Sequence, residues 1–198
     1  MPICSNQAKS IAEVAKHRYQ KNQPLIIAID GCGGAGKSSL SLALKKEIGL
    51  WANVQVIPLD DFYQPLTKKQ RDALSNSAAK AAYFNEEDFK LKVLTPLENG
   101  QSINYKPIAW IEGEASQSTY IKPEGVILID GVFSLSQSLR PHVHVSVFID
   151  TPSDLRRQRL ESRTQPSISW VEHWQATESF HHQHEETASH ADFVFQGF

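Results

Sequence analysis

The sequence predicts an α/β fold in three layers: a mainly parallel five-stranded sheet, helices on both of its faces, and a small β-hairpin across its mouth. Three observations lead there. Short apolar runs recur at Leu25–Ile29, Val54–Ile57, Val126–Ile129, Val143–Ile149 and Phe193–Phe195, each the length of a buried strand and too short for a membrane. Helical patterns separate most of these runs, so the strands return in parallel through right-handed crossovers. Two of the runs lead into carboxylates, Asp60–Asp61 and Asp130, and open α/β sheets collect ligands at the carboxyl ends of their strands.

Length and composition fit that picture. The 198 residues suffice for one sizeable core, so a single domain spanning 1–198 is expected. Hydrophobic residues make up 40% and charged residues 21%, as in ordinary globular proteins. A formal charge of −2 argues against a nucleic-acid binder working through a broad basic face. Of the two cysteines, Cys32 lies in a glycine-rich turn, so a disulfide framework is not expected, and a reducing, cytoplasmic setting is. No run reaches membrane length, so no membrane partner is expected either.

The organising stretch is Leu25 to Ile48. After the first apolar run come Gly31-Cys32-Gly33-Gly34-Ala35-Gly36, then Lys37, Ser38 and Ser39, then Leu40, Leu42, Leu44 and Ile48 in a helical pattern. A strand, a G-x-x-x-x-G-K-S loop and a helix start, in that order, make a P-loop, and the fold expected is that of a P-loop NTPase. Residues 31–39 would bind the phosphates of ATP or another NTP. Glycines bring the backbone close to phosphate, successive N–H groups form an anion nest, and the helix dipole points at the same place. Lys37 would reach the β- and γ-phosphates, and the Ser38 hydroxyl would hold Mg²⁺.

The remaining elements follow in order. Residues 1–22 hold Ile11, Val14, Ala15 and Tyr19 at helical spacing, an amphipathic helix over the sheet. The second strand runs into Leu59-Asp60-Asp61-Phe62-Tyr63. Residues 64–82 read as one helix with loose ends, with Lys68, Lys69 and Arg71 on a solvated face. Glu86-Glu87-Asp88 open a helix that Phe89, Leu91, Val93 and Leu94 carry toward Pro96. Asn99-Gly100 marks a turn, and 101–121 reads as a hairpin with arms Ile103–Trp110 and Gln117–Ile121. Asp130 ends a buried strand, where a second Mg²⁺-organising acid is expected. Over 153–165 a helix carries Arg156, Arg159 and Arg163 on one face, like charges suited to clamping phosphate. The C-terminal histidines lack metal-site spacing, and Trp170, Trp174 and Phe180 read as the inner face of a helix.

The combination resembles the uridine kinase-like branch of P-loop kinases, which includes phosphoribulokinase and pantothenate kinase relatives. IAIDGCGGAGKSS, LDDFY, VLTPLENG, VILIDGVFSL, FIDTPSDLRRQRLESR and ADFVFQG carry the resemblance, from Leu25 to about Gly197. It implies that Asp60 is the base toward the accepting hydroxyl, that Asp130 holds Mg²⁺ or its water, and that the arginine helix is a lid. The hairpin would then lie over the acceptor site. Two departures stand out. Phe84-Asn85 occupies the place of an aspartate that holds ribose hydroxyls, and Ile108-Ala109-Trp110 the place of a tyrosine followed by aspartate. An amide cannot accept from two hydroxyls as a carboxylate does.

The expectation is therefore an ATP- and Mg²⁺-dependent kinase acting on a hydroxyl of a small metabolite, a uridine- or cytidine-type nucleoside or another small alcohol. Asp60, Lys37, Arg156, Arg159 and Arg163 would be catalytic, and Ser38 and Asp130 would hold the metal. Asp61, Phe62, Tyr63, Phe84, Asn85 and Trp110 are acceptor contacts. Two alternatives stay open, a nucleotide-binding regulator or slow NTPase, and a nucleoside monophosphate kinase. The acceptor is the one partner expected, and homo-oligomer formation is left open.

Overall fold

A computed structural model describes residues 2–108, 117–163 and 168–197. Helix α1 (Pro2–Arg18) precedes β1 (Leu25–Asp30) and α2 (Lys37–Ile48), and β2 (Val54–Pro58) runs into a 3₁₀ turn, Leu59–Phe62. Next come α3 (Lys68–Asp72), α4 (Asn76–Tyr83), α5 (Glu86–Phe89), α6 (Thr95–Glu98), and the short arms β3 (Ile103–Tyr105) and β4 (Thr119–Ile121). The chain closes with β5 (Val126–Asp130), β6 (Val145–Asp150), α7 (Ser153–Arg163), α8 (Ile168–His184) and β7 (Phe193–Gln196).

The sheet order is β2-β5-β1-β6-β7, and every pair is parallel. Alternation divides the inner strands β1, β5 and β6 between two buried faces. From β1, Leu25, Ile27 and Ile29 join α1 and α2 through Ile11, Leu40, Leu44 and Ile48. From the other face, Ile26, Ile127 and Ile129 meet Tyr83, Phe84, Phe89, Phe133 and Trp174. Both faces are covered, which is why these strands read as continuous apolar runs rather than alternating ones.

Register fixes what meets at the carboxyl edge. Asp130 pairs with Ile29 on one side and with Pro58 on the other. The loop leaving β1, the turn leaving β2 and the end of β5 are therefore neighbours.

Two stretches differ from the sequence expectation. Residues 64–82 form two helices rather than one, because Thr67 and Ser75 each start a new one: Thr67 makes a capping box with Gln70, and Ser75 accepts from the Ala78 N–H. The run from Glu86 continues to Glu98 past Pro96, through a π-helical turn at Lys90–Leu94. Pro96 lies in the first turn of α6, where its missing N–H costs little. The hairpin arms pair over three residues each, and Trp110 lies outside the described residues.

Helix α2 supplies a stability prediction. Leu44 is fully buried, while Leu42, two residues earlier, is 59% exposed. Leu44→Ala should lower the unfolding free energy by about 2–5 kcal/mol. Leu42→Ala should stay within about 0.5 kcal/mol. Urea unfolding with an unchanged m-value measures both; equal losses would refute the assigned face.

Candidate active site

The loop after β1 is held from below. Asp30 is completely buried, and its carboxylate accepts from the N–H of Gly31 (2.6 Å), Phe133 (3.1 Å) and Leu135 (2.8 Å). One side chain thus ties the start of the glycine loop to the loop after β5. Gly31 (φ 139°) and Gly34 (φ 78°) adopt torsions that disfavour other residues. A Cβ at Gly31 would lie 2.4 Å from the Ile149 carbonyl oxygen, and one at Gly34 2.7 Å from that of Arg156. The loop is glycine-rich because β6 and α7 press against it.

Above this floor opens a cavity of about 380 Å³ lined by Gly33, Gly34, Lys37, Ser38, Asp60, Tyr63, Asp130, Leu160, Trp170 and Trp174, among others. Lys37 Nζ lies 2.8 Å from the Gly31 carbonyl and 3.2 Å from that of Cys32, folded back on its own loop. The Ser38 hydroxyl lies near enough to the Asp130 carboxylate to favour its ionised form. Asp60 keeps an accessible edge on the cavity. Burial raises the pKa of Asp60 and of Asp130, and the Lys37 ammonium opposes the rise at both. Ser38 and Asp130 offer hydroxyl and carboxylate oxygens, which suit Mg²⁺. Among the described residues, no three His, Cys, Asp or Glu side chains gather into a metal-binding group.

The expected site residues separate into groups. Gly33, Gly34, Lys37, Ser38, Asp60, Tyr63 and Asp130 share the cavity. Tyr63 is buried and donates through its hydroxyl to the Val132 carbonyl (2.6 Å), so it shapes the wall. Asp61 turns to the hairpin: the Tyr105 hydroxyl donates to it at 3.0 Å, and its carbonyl accepts from the Ile108 N–H. Phe62 packs on Phe89 and Tyr105. Phe84 is core, 1% exposed, and Asn85 caps α5 by accepting from the Asp88 N–H. Both line a second cavity, of about 690 Å³, together with Lys80, Glu86, Phe180 and Glu185. Phe180 is 40% exposed, so it is not on the inner face that Trp174 occupies.

The arginine face also needs correction. Arg156 is buried, and its Nη1 donates to Glu178 Oε1 at 2.6 Å while its Nε donates to the Thr151 carbonyl. It is an internal ion-pair partner, not a solvent-facing clamp. Arg159 Nη1 donates to the Gly34 carbonyl at 2.9 Å and stands at the loop. The side chain of Arg163 lies outside the described residues. Helical spacing put the three arginines on one face but could not tell that α8 packs over the first of them.

Glu178, Asp30 and Tyr105 escaped the sequence reading. Asp30 was visible as an acid closing the first apolar run. Glu178 gave no signal, since it reaches Gly33 from 145 residues away.

With this geometry in view, comparison with known proteins places the chain. The sequence profile of the phosphoribulokinase / uridine kinase family matches residues 26–167. The chain belongs to that family. A uridine kinase from Pectobacterium carotovorum is 31% identical over 172 residues, covering 80% of this chain and 79% of the relative. One from Haemophilus influenzae is 28% identical over 167 residues, covering 77% and 76%. Among solved structures, one described as a possible uridine kinase from Bacillus stearothermophilus superposes with a TM-score of 0.73 at 18% identity, over 96% of this chain and 97% of that one. A D-glycerate 3-kinase from Cryptococcus neoformans superposes with a TM-score of 0.56 at 14% identity, over 90% and 86%. The fold is thus that of a P-loop kinase, and family membership makes the protein a phosphotransferase that uses a hydroxyl acceptor on a small metabolite.

The ion pair yields a prediction. Arg156→Ala leaves buried Glu178 without its charge partner and should cost about 3–5 kcal/mol of stability at a pH where the carboxylate stays ionised, and less where it takes up a proton. Exposed Arg157→Ala should change it by less than about 0.5 kcal/mol. Thermal and urea unfolding of the two variants measure the difference; a small loss at Arg156 would show that the pair is not closed in solution.

Proposed function

We propose that this protein transfers the γ-phosphoryl group of ATP, with Mg²⁺, to a hydroxyl of a small metabolite, with Asp60 as the base. The observation that carries the reading is that Asp60 and Asp130 open onto the same cavity as Gly33, Gly34, Lys37 and Ser38. The γ-phosphoryl group would lie at the loop, with Lys37 released from the carbonyls of Gly31 and Cys32 to meet it. Asp60 would take the proton of the acceptor hydroxyl as its oxygen attacks in line. Arg159, already at Gly34, is the arginine best placed to meet charge on the transferring group. Ser38 and Asp130 would hold Mg²⁺, which when bound would supply charge neutralisation to the phosphates. Positioning and electrostatics then account for most of the rate.

The acceptor class we favour is a uridine- or cytidine-type nucleoside or another small alcohol. The relatives named uridine kinase support the nucleoside. The position of Asn85, turned to cap α5 beside the second cavity, supports a different alcohol, because nothing at that position holds ribose hydroxyls from the phosphate cavity. Arg156, consumed by Glu178, weakens the case for a monophosphate acceptor clamped by that arginine. A screen of nucleosides, nucleoside monophosphates, sugars and sugar acids with radiolabelled ATP decides between these classes. Turnover stimulated by an alcohol supports the reading; ATP hydrolysis unaffected by every acceptor would favour a regulator or slow NTPase.

Asp60→Asn should bind ATP with nearly unchanged affinity and lose transfer by about 10²- to 10⁴-fold. Asp61→Asn should act through the hairpin instead, raising the acceptor KM before lowering kcat, because it loosens the Tyr105 contact. Steady-state kinetics in both substrates separates the two. Equal kcat losses at both positions would remove Asp60 from its special role.

A further inference from the structure

Glu178 stands in an unusual place for a carboxylate. It has no exposed surface, yet its Oε2 accepts from the N–H of Gly33 at 2.8 Å. Gly33 lines the phosphate cavity. An anion of the protein thus sits against the loop whose function, on the reading above, is to receive anions. Its other oxygen takes the Arg156 guanidinium.

We propose that Glu178 is an internal counter-anion of the phosphate loop that takes up a proton from solvent when nucleotide phosphates bind. The inference rests on the reading of the loop as a nucleotide site. Two changes drive it. Phosphate charge arrives next to a carboxylate in a water-poor interior, where like charges repel strongly. In addition Lys37, whose charge now favours the ionised form of Glu178, leaves for the phosphates. Protonation removes the repulsion and leaves the Arg156 charge uncancelled beneath the loop, facing the bound anion.

The neighbouring groups leave this role to Glu178. Burial raises its pKa to about 7, against the pull of the Gly33 N–H, Arg156 and Lys37. Burial pushes the Cys32 thiol and the Tyr63 phenol well above neutrality, and it depresses His182, which lies on α8 with Nε2 3.7 Å from Asp30. Asp60 and Asp130 also face the cavity with raised pKa values. With nucleotide bound, Lys37 and Mg²⁺ would hold both ionised. The sign follows. Bound phosphate lifts Glu178 above its free value of about 7, so uptake occurs above that pH. Nucleotide affinity then weakens by up to about tenfold per pH unit as pH rises through the window.

Calorimetric titration with the Mg²⁺ complex of a non-hydrolysable ATP analogue, in buffers of different ionisation enthalpy, counts the protons. At pH 7.5, with the ligand's own contribution subtracted, the wild type should take up a fraction of a proton per nucleotide, and that fraction should shrink as the pH is lowered toward 6. Glu178→Gln should take up close to none, and Arg157→Ala, at an exposed position away from the loop, should match the wild type. Binding with no buffer dependence, or with equal uptake in Glu178→Gln, overturns the inference while leaving nucleotide binding intact; no binding at all overturns both. Should Glu178→Gln fail to fold, infrared difference spectra of wild-type protein carrying ¹³C-labelled glutamate replace it. A protonated-carboxyl band that appears on nucleotide binding and shifts with the label supports the inference, and a band that does not shift overturns it.

Discussion

The carboxylate of Asp30 is the constraint on which the catalytic edge depends. It closes β1, has no contact with solvent, and satisfies three backbone N–H groups from two loops. Without it, the donors of Gly31, Phe133 and Leu135 would be buried unpaired, at about 1–3 kcal/mol each. With it, the glycine loop and the segment after Asp130 are fixed to one point. Phe133 is part of the same arrangement. It adopts a left-handed φ of 74° and packs its ring against Tyr63, Trp174 and His181. A non-glycine residue holds that conformation only where its surroundings over-determine it.

A second buried carboxylate, Glu178, does from α8 what Asp30 does from β1. It takes a loop N–H and compensates Arg156. The phosphate loop is thus held between two internal anions while its upper side faces the cavity. Such a loop is preorganised, which is where electrostatic catalysis of phosphoryl transfer gets its advantage. The acceptor side is built differently. Tyr63 is locked by its hydroxyl, but Asp61, Phe62 and Tyr105 form a latch between the β2 turn and the hairpin. On the proposed reading, phosphate chemistry and acceptor choice rest on separate elements, so one can change while the other stays.

The architecture was legible in the sequence because its signals are local. Apolar runs both-sides buried, a G-x-x-x-x-G-K-S loop between strand and helix, and acids after β2 and β5 each occupy a few consecutive residues. Strand register then brought Asp60, Asp130, Lys37 and Ser38 together without further information. What failed was tertiary. The periodicity of α7 put Arg156 on a face with Arg159, yet only the packing of α8 decides that Arg156 is interior. Phe84 and Asn85 looked like acceptor contacts by position, but the direction of Asn85 is set by its bond to the Asp88 N–H. Phe180 read as inward because helical spacing does not say where the helix meets its neighbour. Glu178, in a polar stretch rich in histidine, carried no pattern at all.

The central claim is that nucleotide phosphates bind at the loop between Gly31 and Ser39, with Asp60 and Asp130 facing them. Amide chemical shifts followed by NMR during titration with a Mg²⁺–nucleotide complex test it most directly. The account predicts that the largest changes fall on Gly33 to Ser39, with further changes at Asp60 and Asp130, and that the second cavity around Asn85 and Phe180 stays quiet. Shifts centred on that second cavity, or an unperturbed loop at saturating nucleotide, would contradict it.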